Sequence, residues 1–219
     1  MMEVKFRKLS NNKLKTQVYD EILKKIVYNQ YSPGDKLFIN DIADNLGVSN
    51  TPVREALEAL KNDGLLVKQP YKSFTVKEHT IDQIKDIYEL SASIESYTCK
   101  LAAQRIDEEE LNKLIELHEK AKEYVDNCEM EKYKKYDKEF HFMIVKASKN
   151  NYLIDIYKNI RLELSLFSYQ VLDICDRIQE SYKAHKKILE YIKNSNAENA
   201  CALMEEHMLS SWKKFKELQ

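Results

Sequence analysis

Four side chains able to bind a metal ion are the residues whose types and spacing best support chemistry in this sequence. Asp137 and His141 are four residues apart, so both project from one face of a helix. His185 and His207 each fall in an apolar helical stripe further along the chain. Burying one carboxylate and three imidazoles is costly unless they are paired or ligated. One divalent cation would satisfy all four, and this donor set suits zinc, nickel or manganese.

Besides a ligand-binding site at a metal ion, two other interpretations of these four residues stay open. The helices could serve only to dimerise, with a structural metal ion or none. A metal-dependent enzyme could use the same ligands with one open position, but it would also need a general base or nucleophile nearby. Glu95 is the one candidate for that role, on the inner face of the first helix of the helical region. The remaining histidines, His79 and His118, are predicted to be ordinary surface residues.

A second group of residues has the chemistry of DNA recognition. The stretch from Gly47 to Gly64 carries an apolar helical stripe, with polar side chains on the opposite side of its first turn. Ser49 or Thr51 is predicted to cap this helix, and Thr51 with Pro52 at the first helical position is the simpler assignment. Short polar donors and an arginine at a helix N-terminus suit phosphates and base edges in a major groove. The side chains in this position are Ser49, Asn50, Thr51 and Arg54.

The elements around this stretch have the order of a winged helix-turn-helix. An apolar stripe over residues 15–29 predicts an opening helix, and residues 39–46 form a short amphipathic helix before the Gly47 turn. Residues 65–76 contain two β-rich runs around a proline-containing turn, which predicts a hairpin or wing. The sequence therefore predicts a domain over residues 10–77 that binds double-stranded DNA.

The second domain is marked by the absence of helix breakers. All three glycines and all three prolines lie between positions 33 and 70, which places a boundary near residues 77–80. Residues 80–219 are predicted to be an all-helical bundle, so the fold class is mainly α. Its six helices are expected at about residues 81–105, 108–127, 130–149, 152–172, 174–193 and 197–218.

Composition narrows the class of protein without identifying it. The 219 residues include 35 basic and 36 acidic side chains, so net charge alone does not indicate a nucleic-acid partner. The four cysteines lack metal-type spacing and are expected to be reduced, buried thiols. The sequence shows no signal peptide and no apolar run of about 18 residues. A cytoplasmic protein without a membrane partner is therefore expected.

The first domain resembles the winged-helix domain of the GntR family of bacterial transcription regulators. The strings YSPGDKL, GVSNTPVREAL and the wing carry this resemblance. It implies that Thr51, Arg54, Lys72 and Ser73 contact DNA. Asn50 stands where an arginine is common in the family, and Ser73 stands where the wing usually has glycine. The operator sequence is therefore expected to differ from the usual one.

The helical region resembles the FCD ligand-binding domain of the FadR-type branch of that family. The strings DKEFH, SYKAHKKIL and MEEHM carry the resemblance, which implies a metal ion at the floor of a cavity and a carboxylate effector bound to it. Ser91 stands where members commonly have an arginine that grips the effector. Arg161 is a candidate replacement, although a core-edge arginine paired with a surface acid explains it equally well. The predicted effector-contacting residues are Ser91, Glu95 and Arg161.

These features together predict a ligand-responsive transcription regulator, most simply a repressor. A domain with one recognition helix reads only a few base pairs, so a homodimer on an inverted-repeat operator is expected. The helical domain would supply the dimer contact. A small-molecule effector in its cavity would then bias the two recognition helices, with a coupling free energy of ~1–3 kcal/mol.

Overall fold

The structure, a computed structural model, describes residues 12–69, 73–171 and 175–218. The chain divides into two compact units, Met1–Glu78 and His79–Gln219, and each is described by itself. Among the described residues, no helix combines the length and the apolar character that crossing a membrane requires.

The first unit is a three-helix domain with a small antiparallel sheet, as predicted for a winged helix-turn-helix. Its strands have the order β1-β3-β2, with Leu37 opposite Phe74 and Lys68 opposite the same residue on the other side. Strand β1 was not predicted, because three residues are too few to show an alternating pattern. The elements are α1 (Asn12–Val27), β1 (Lys36–Phe38), α2 (Ile39–Leu46), α3 (Asn50–Asn62), β2 (Leu66–Gln69) and β3 (Ser73–Val76).

The turn between α2 and α3 depends on Gly47. Its φ of 64° is left-handed, and its N–H donates to the carbonyl oxygens of Ala43 and Asp44 at the end of α2. Helix α3 then begins at Asn50, with Ser49 as the N-cap residue in extended conformation. Of the two predicted caps, Ser49 occupies the N-cap position, and the preferred assignment to Thr51 is wrong because Thr51 is the second residue of the helix. Pro52 sits at the third helical position, and it is tolerated because the first four N–H groups of a helix have no intrahelical partner.

Helix α3 has one buried face and one exposed face. Packing of the buried face determines which side chains of the helix are presented to solvent. The buried face packs against α1 and α2, whose Val18, Ile22 and Ile42 are also buried. Burying each such aliphatic side chain contributes roughly 1.5–3 kcal/mol relative to exposing it. The buried residues of α3 are Pro52, Val53, Ala56, Leu57 and Leu60.

The second unit is the predicted bundle of six helices in the part of the chain that is described. Helices α4 and α9 form the most extensive packing contact of the unit. Helices α7 and α8 pack against both of them, α6 packs against α4, and α5 packs against α6 and α8. Thr80 and Gln83 form a reciprocal capping box at the start of α4, which fixes where that helix begins. The helices are α4 (Ile81–Arg105), α5 (Glu108–Asp126), α6 (Met130–Ala147), α7 (Asn151–Val171), α8 (Cys175–Lys193) and α9 (Ala197–Glu217).

One expectation about the cysteines is wrong. Cys128, in the turn between α5 and α6, forms a disulfide with Cys175, the first residue of α8. Their Cα atoms are 5.5 Å apart although 47 positions separate them in the sequence. The spacing of cysteines along the chain could not show this proximity. Cys99 and Cys201 are free, and Cys99 is buried as expected.

Candidate metal centre and nucleic-acid interface

The four predicted metal ligands converge inside the second unit. Asp137 and His141 lie on α6, His185 lies on α8 and His207 lies on α9. One donor atom from each residue lies within 4.8 Å of the donor atoms of the other three. All four side chains are buried, and His185 is completely inaccessible. The helical stripes of three separate helices therefore meet at one polar centre in an otherwise apolar core.

The spacing of the donor atoms fits a single divalent ion. The Nε2 atoms of His185 and His207 are 3.2 Å apart. Asp137 Oδ1 lies 3.8 Å from Nε2 of His141 and 3.8 Å from Nε2 of His185. Two donor atoms that are each about 2.1 Å from one ion lie roughly 3–3.5 Å from each other. Three imidazoles with one carboxylate can therefore hold zinc, nickel or manganese here without large movement.

Arg161 on α7 holds the second oxygen of Asp137. Its Nη2 donates to Asp137 Oδ2 at 2.8 Å, and its side chain is 12 % exposed. Burial by itself lowers the pKa of Arg161, but Tyr157, Asp137 and Glu95 outweigh burial and raise it. The partner of this arginine is therefore a buried candidate ligand and not the surface acid that one interpretation of the sequence proposed.

Glu95 on α4 orients His141. Its Oε2 bonds Nδ1 of His141, and its Oε1 accepts a hydrogen bond from Ser91 Oγ at 2.8 Å. Burial tends to raise the pKa of Glu95, but His141, Arg161 and Ser91 together lower it, so a carboxylate is favoured. With Nδ1 occupied, Nε2 of His141 is the nitrogen that faces Asp137. Metal-binding histidines commonly have such a carboxylate on their other nitrogen.

The prediction that Ser91 and Glu95 contact an effector does not agree with their placement. Both are buried, with exposed fractions of 0 % and 1 %, and both lie behind His141. Neither lines the cavity beside the metal centre. Their spacing on the inner face of α4 indicated burial, but it could not show which side chain would lie between them and the cavity.

A cavity of about 30 Å³ adjoins the candidate ligands, with room for a small ion or about one water. A second cavity of about 130 Å³ shares three of its lining residues, Arg177, Ser181 and His207. The larger cavity lies between α8 and α9, whereas the smaller one is also lined by residues of α4, α6 and α7. Besides Asp137, His141 and His207, the smaller cavity is lined by Tyr88, Arg161, Leu164, Arg177, Ser181, Met208 and Ser211.

Two hydrogen-bond donors on the cavity wall were not predicted from the sequence. Arg177 on α8 pairs with Glu180 through Nη1, but its Nε is buried and has no hydrogen-bond partner among the described residues. The hydroxyl of Tyr88 on α4 is also buried and also has no hydrogen-bond partner among the described residues. Burial raises the pKa of Tyr88, so the O–H is retained. A wall that offers donors favours a ligand rich in acceptor oxygens. The position of Arg177 in the third place of α8 carries no sequence signal of this role.

The predictions for His118 and His79 are wrong. His118 is 5 % exposed, stacks on Tyr182 with 4.2 Å between ring centroids, and lies 2.8 Å from the Tyr136 hydroxyl. Burial, with a smaller contribution from Lys186, lowers the pKa of His118 to about 4. The side chain of His79 is 2 % exposed. The buried face of α5 gives the missed signal, since His118 lies in one helical stripe with Leu114, Ala121 and Val125.

The candidate DNA-contacting residues of α3 are exposed. Ser49, Asn50, Thr51 and Arg54 all present their side chains to solvent at the start of the helix. The Asn50 side chain also donates to the side-chain oxygen of Asn40 on α2 at 3.1 Å.

The two predicted DNA-contacting residues of the wing are not shown to be exposed. Lys72 lies outside the described residues. Ser73, at the start of β3, is only 6 % exposed, so the contact predicted for its side chain lacks the exposure it needs. The support for DNA binding in the structure therefore comes from the first turn of α3.

A winged helix-turn-helix joined to an all-helical unit with a buried polar centre defines a class of transcription regulators. Residues 14–76 match the family described as bacterial regulatory proteins, gntR family, and residues 86–210 match the FCD domain. The chain belongs to the GntR family and carries an FCD domain. It is a DNA-binding transcription regulator and not an enzyme.

Related proteins agree with this assignment. The chain is 27 % identical to the uncharacterized HTH-type transcriptional regulator YdhC of Bacillus subtilis (strain 168), over 84 % of this chain and 83 % of that protein. It is 26 % identical to the gluconate operon transcriptional repressor of Bacillus licheniformis, over 84 % and 76 % of the two chains. The solved structure of E. coli McbR/YncC superposes with a TM-score of 0.83 at 23 % identity, covering 94 % and 98 % of the two chains. This last likeness shows the shared fold.

The buried imidazoles make the stability of the metal-free protein depend on pH. Burial lowers the pKa of His118 and of His207 to about 4, while the unfolded chain titrates near 6.5. The unfolded state therefore binds more protons between these values, and the free energy of unfolding should fall as pH falls from about 6.5 toward 4. Each such histidine contributes a slope of up to about 1.4 kcal/mol per pH unit. Urea unfolding of metal-free protein at several pH values measures this slope.

His118→Phe provides the comparison for this measurement. The substitution keeps an aromatic ring against Tyr182 and removes one of the buried titrating groups, so the slope should become shallower. An unfolding free energy that is independent of pH between 6.5 and 4 in the unsubstituted protein would contradict the expectation.

Proposed function

We propose that this protein is a cytoplasmic, homodimeric repressor whose DNA binding is controlled by an effector held at a metal ion in the helical unit. The observation that carries the proposal is the convergence of Asp137, His141, His185 and His207 within 4.8 Å beside a cavity with donor groups on its wall. Repression is proposed because a relative with 26 % identity over 84 % of this chain is described as a repressor.

Helix α3 is proposed to read the operator. Its first turn exposes Asn50, Thr51 and Arg54, while the opposite face is buried in the unit's own core. A rigid helix with exposed donors at its N-terminus suits insertion into a major groove. A two-fold symmetric dimer presents two such helices, which gives an operator with two inverted half-sites.

The helical unit is proposed to supply the dimer contact. Leu90 and Tyr97 are seven residues apart on α4, so they lie on one face of that helix. Each is 50 % exposed, so the two side chains together present apolar surface on the solvent side of this helix. An exposed apolar face of this kind supports association with a second copy.

Zinc, nickel or manganese is the proposed ion, held by the aspartate and the three histidines. When bound, the ion would supply a Lewis-acidic centre that attracts an anionic oxygen. The chain's own residues set the site in advance, since Arg161 holds Asp137 and Glu95 holds His141. The carboxylate of Asp137 thus has one oxygen engaged by the arginine and the other facing the imidazoles.

The effector is proposed to be a small carboxylate that also contacts Arg177. Arg161 is already paired with Asp137, so it is poorly placed to grip a second carboxylate. Arg177 lines both cavities, and its buried Nε has no hydrogen-bond partner in the described part of the chain. The Tyr88 hydroxyl lies on the wall of the smaller cavity. Contacts on α4, α8 and α9 together would couple occupancy of the cavity to the arrangement of these helices, with a coupling of ~1–3 kcal/mol.

Arg54→Ala tests the recognition helix. If Arg54 contacts a base through two hydrogen bonds, specific affinity should fall by about 1–3 kcal/mol and specificity should relax at that position. The measurement is fluorescence anisotropy on an operator obtained by binding selection from random DNA, which should be an inverted repeat.

Lys61→Ala is the matched control, because it also removes one positive charge from α3 but at the C-terminal end. It should lower affinity much less. Unchanged binding of Arg54→Ala to both specific and random DNA would contradict the assignment of α3 as the recognition helix. Selection of a single asymmetric half-site would contradict the proposed dimer.

His185→Ala tests the metal centre. The variant should retain less metal and should have a lower melting temperature in the presence of metal, because a ligand that binds only the folded state stabilises it by mass action. Elemental analysis and thermal unfolding with and without a chelator measure both effects. The chelator should destabilise the unsubstituted protein and change the variant little.

His79→Ala is the control for this experiment. It removes a second buried imidazole from the same unit but outside the cluster, so it should lower stability without lowering metal content. If the unsubstituted protein takes up no stoichiometric metal after incubation with zinc, nickel or manganese, the four residues form only a hydrogen-bonded core.

Arg177→Gln tests the effector contact. In zinc-loaded protein it should weaken the binding of small carboxylates by about tenfold or more, since a charge-assisted hydrogen bond is lost. Calorimetric titration with acetate, propionate, malonate and succinate measures the affinity, and zinc content should stay unchanged. Lys183→Gln removes the same charge from an exposed position of α8 and should have no effect. Equal carboxylate binding in both variants would exclude Arg177 as the contact.

A further inference from the structure

We propose that Tyr136 and His118 form a positioning relay that controls which nitrogen of His185 carries the proton, and thereby whether His185 can bind a metal ion. The inference rests on the proposed metal centre and extends it to two residues that are not ligands. Neither residue lines the cavity beside the centre, so the relay would act entirely through His185.

The relay is a continuous line of polar contacts through the core. His118 Nδ1 on α5 lies 2.8 Å from the Tyr136 hydroxyl on α6. The same hydroxyl lies 3.0 Å from Nδ1 of His185 on α8. The exposed fractions of the three residues are 5 %, 2 % and 0 %, so water does not compete for these contacts. Three helices are thus joined by hydrogen bonds that end at a candidate ligand.

The chemistry of a neutral imidazole makes this line directional. A neutral ring has one protonated nitrogen and one nitrogen with a free lone pair. The metal-facing atom of His185 is Nε2, which lies 3.2 Å from His207 Nε2 and 3.8 Å from Asp137 Oδ1. For Nε2 to bind a metal, the proton must be on Nδ1 and must be donated to the Tyr136 oxygen. The Tyr136 hydroxyl must then donate its own proton to His118 Nδ1.

Without a metal the same line can also run in the opposite direction. Nε2 of His185 can then carry the proton and donate it to His207 Nε2 at 3.2 Å. Nδ1 of His185 accepts from the Tyr136 hydroxyl, and His118 Nδ1 donates to the Tyr136 oxygen. The two directions contain the same number of protons, because each ring keeps one N–H and the tyrosine keeps its O–H. Metal binding is compatible with only the first of these two directions, so the two hydrogen bonds of the relay affect how readily Nε2 of His185 can bind an ion.

Removing the tyrosine hydroxyl should favour the metal-free direction. In Tyr136→Phe, the Nδ1–H that metal binding requires would be a buried donor without a partner, which is unfavourable. In the opposite direction Nδ1 of His185 carries no proton, so loss of the tyrosine hydroxyl leaves no unpaired N–H donor there. Partners of this kind behind a ligand typically change metal affinity by 10- to 100-fold when they are removed.

Tyr133 offers a closely matched control. It lies one turn earlier on α6, is fully buried, and makes no hydrogen bond to any of the four candidate ligands in the described part of the chain. Tyr133→Phe removes the same atom from the same helix at the same depth. A general effect of deleting a buried hydroxyl would appear in both variants, whereas an effect on the relay would appear only in Tyr136→Phe.

The test is zinc affinity measured by competition with a chelator, together with the absorption spectrum of the cobalt-substituted protein and the thermal unfolding of the metal-free variants. Tyr136→Phe should bind zinc about 10- to 100-fold more weakly. It should also alter the cobalt spectrum. Tyr133→Phe should match the unsubstituted protein within about twofold in zinc affinity, since it leaves every ligand's partner in place.

Two substitutions of His118 separate positioning from packing. His118→Phe keeps a ring against Tyr182 but removes the acceptor for the Tyr136 hydroxyl, so zinc affinity should fall. His118→Asn restores an acceptor oxygen near the position of Nδ1, so zinc affinity should recover toward that of the unsubstituted protein. If Tyr136→Phe does not fold, this pair carries the test alone.

Equal zinc affinity in Tyr136→Phe, Tyr133→Phe and the unsubstituted protein would overturn the relay and leave the metal centre in place. Equal affinity in His118→Phe and His118→Asn would overturn the part assigned to His118. Absence of zinc binding by the unsubstituted protein would overturn the metal centre itself, and the relay with it.

Discussion

The helical unit depends on accommodating one carboxylate in the middle of a largely apolar core. Asp137 is 7 % exposed and lies among three imidazoles that are also buried. Removing a charge from water without compensation costs several kcal/mol, so the surrounding helices must supply partners. Arg161 supplies the opposite charge at 2.8 Å, and this pair explains why an arginine is found on the inner side of α7. The same arrangement leaves Asp137 Oδ1 facing the imidazoles and able to serve a metal ion.

Three of the candidate ligands have a partner behind them, and the partners come from different helices. Arg161 on α7 holds Asp137, Glu95 on α4 holds His141, and Tyr136 on α6 holds His185. The orientation of the centre is therefore a property of the whole bundle and not of the ligands alone. Since α4 and α9 form the central packing contact of the unit, a ligand that contacts both helices acts on the core itself. This packing is the physical basis for the proposal that occupancy of the cavity controls DNA binding.

In the first unit, by contrast, the position of helix α3 is fixed by nearby contacts and not by a whole bundle of helices. The turn at Gly47 and the buried face of α3 hold the recognition helix by contacts that are close in sequence or in the small core. Tyr19 on α1 also donates to Asp63 at the end of α3 at 2.7 Å. The first turn of α3 is left with polar side chains that no part of this core needs. Such a surface suits DNA, because its shape is already set before binding.

The sequence by itself determined the helices of this protein, the hairpin of its first unit and the types of its chemical groups. The positions of glycine and proline, the apolar stripes and the four-residue spacing of Asp137 and His141 are local features, and local features decide helices and their inner faces. Only the tertiary structure decided which groups meet. It paired Arg161 with Asp137, placed Glu95 behind His141, buried His118 against Tyr136, brought Arg177 to the cavity and joined Cys128 to Cys175. The reason is that a helix's own pattern sets the direction of a side chain, whereas its partners depend on the rotation and height of neighbouring helices, which the packing of the whole core sets.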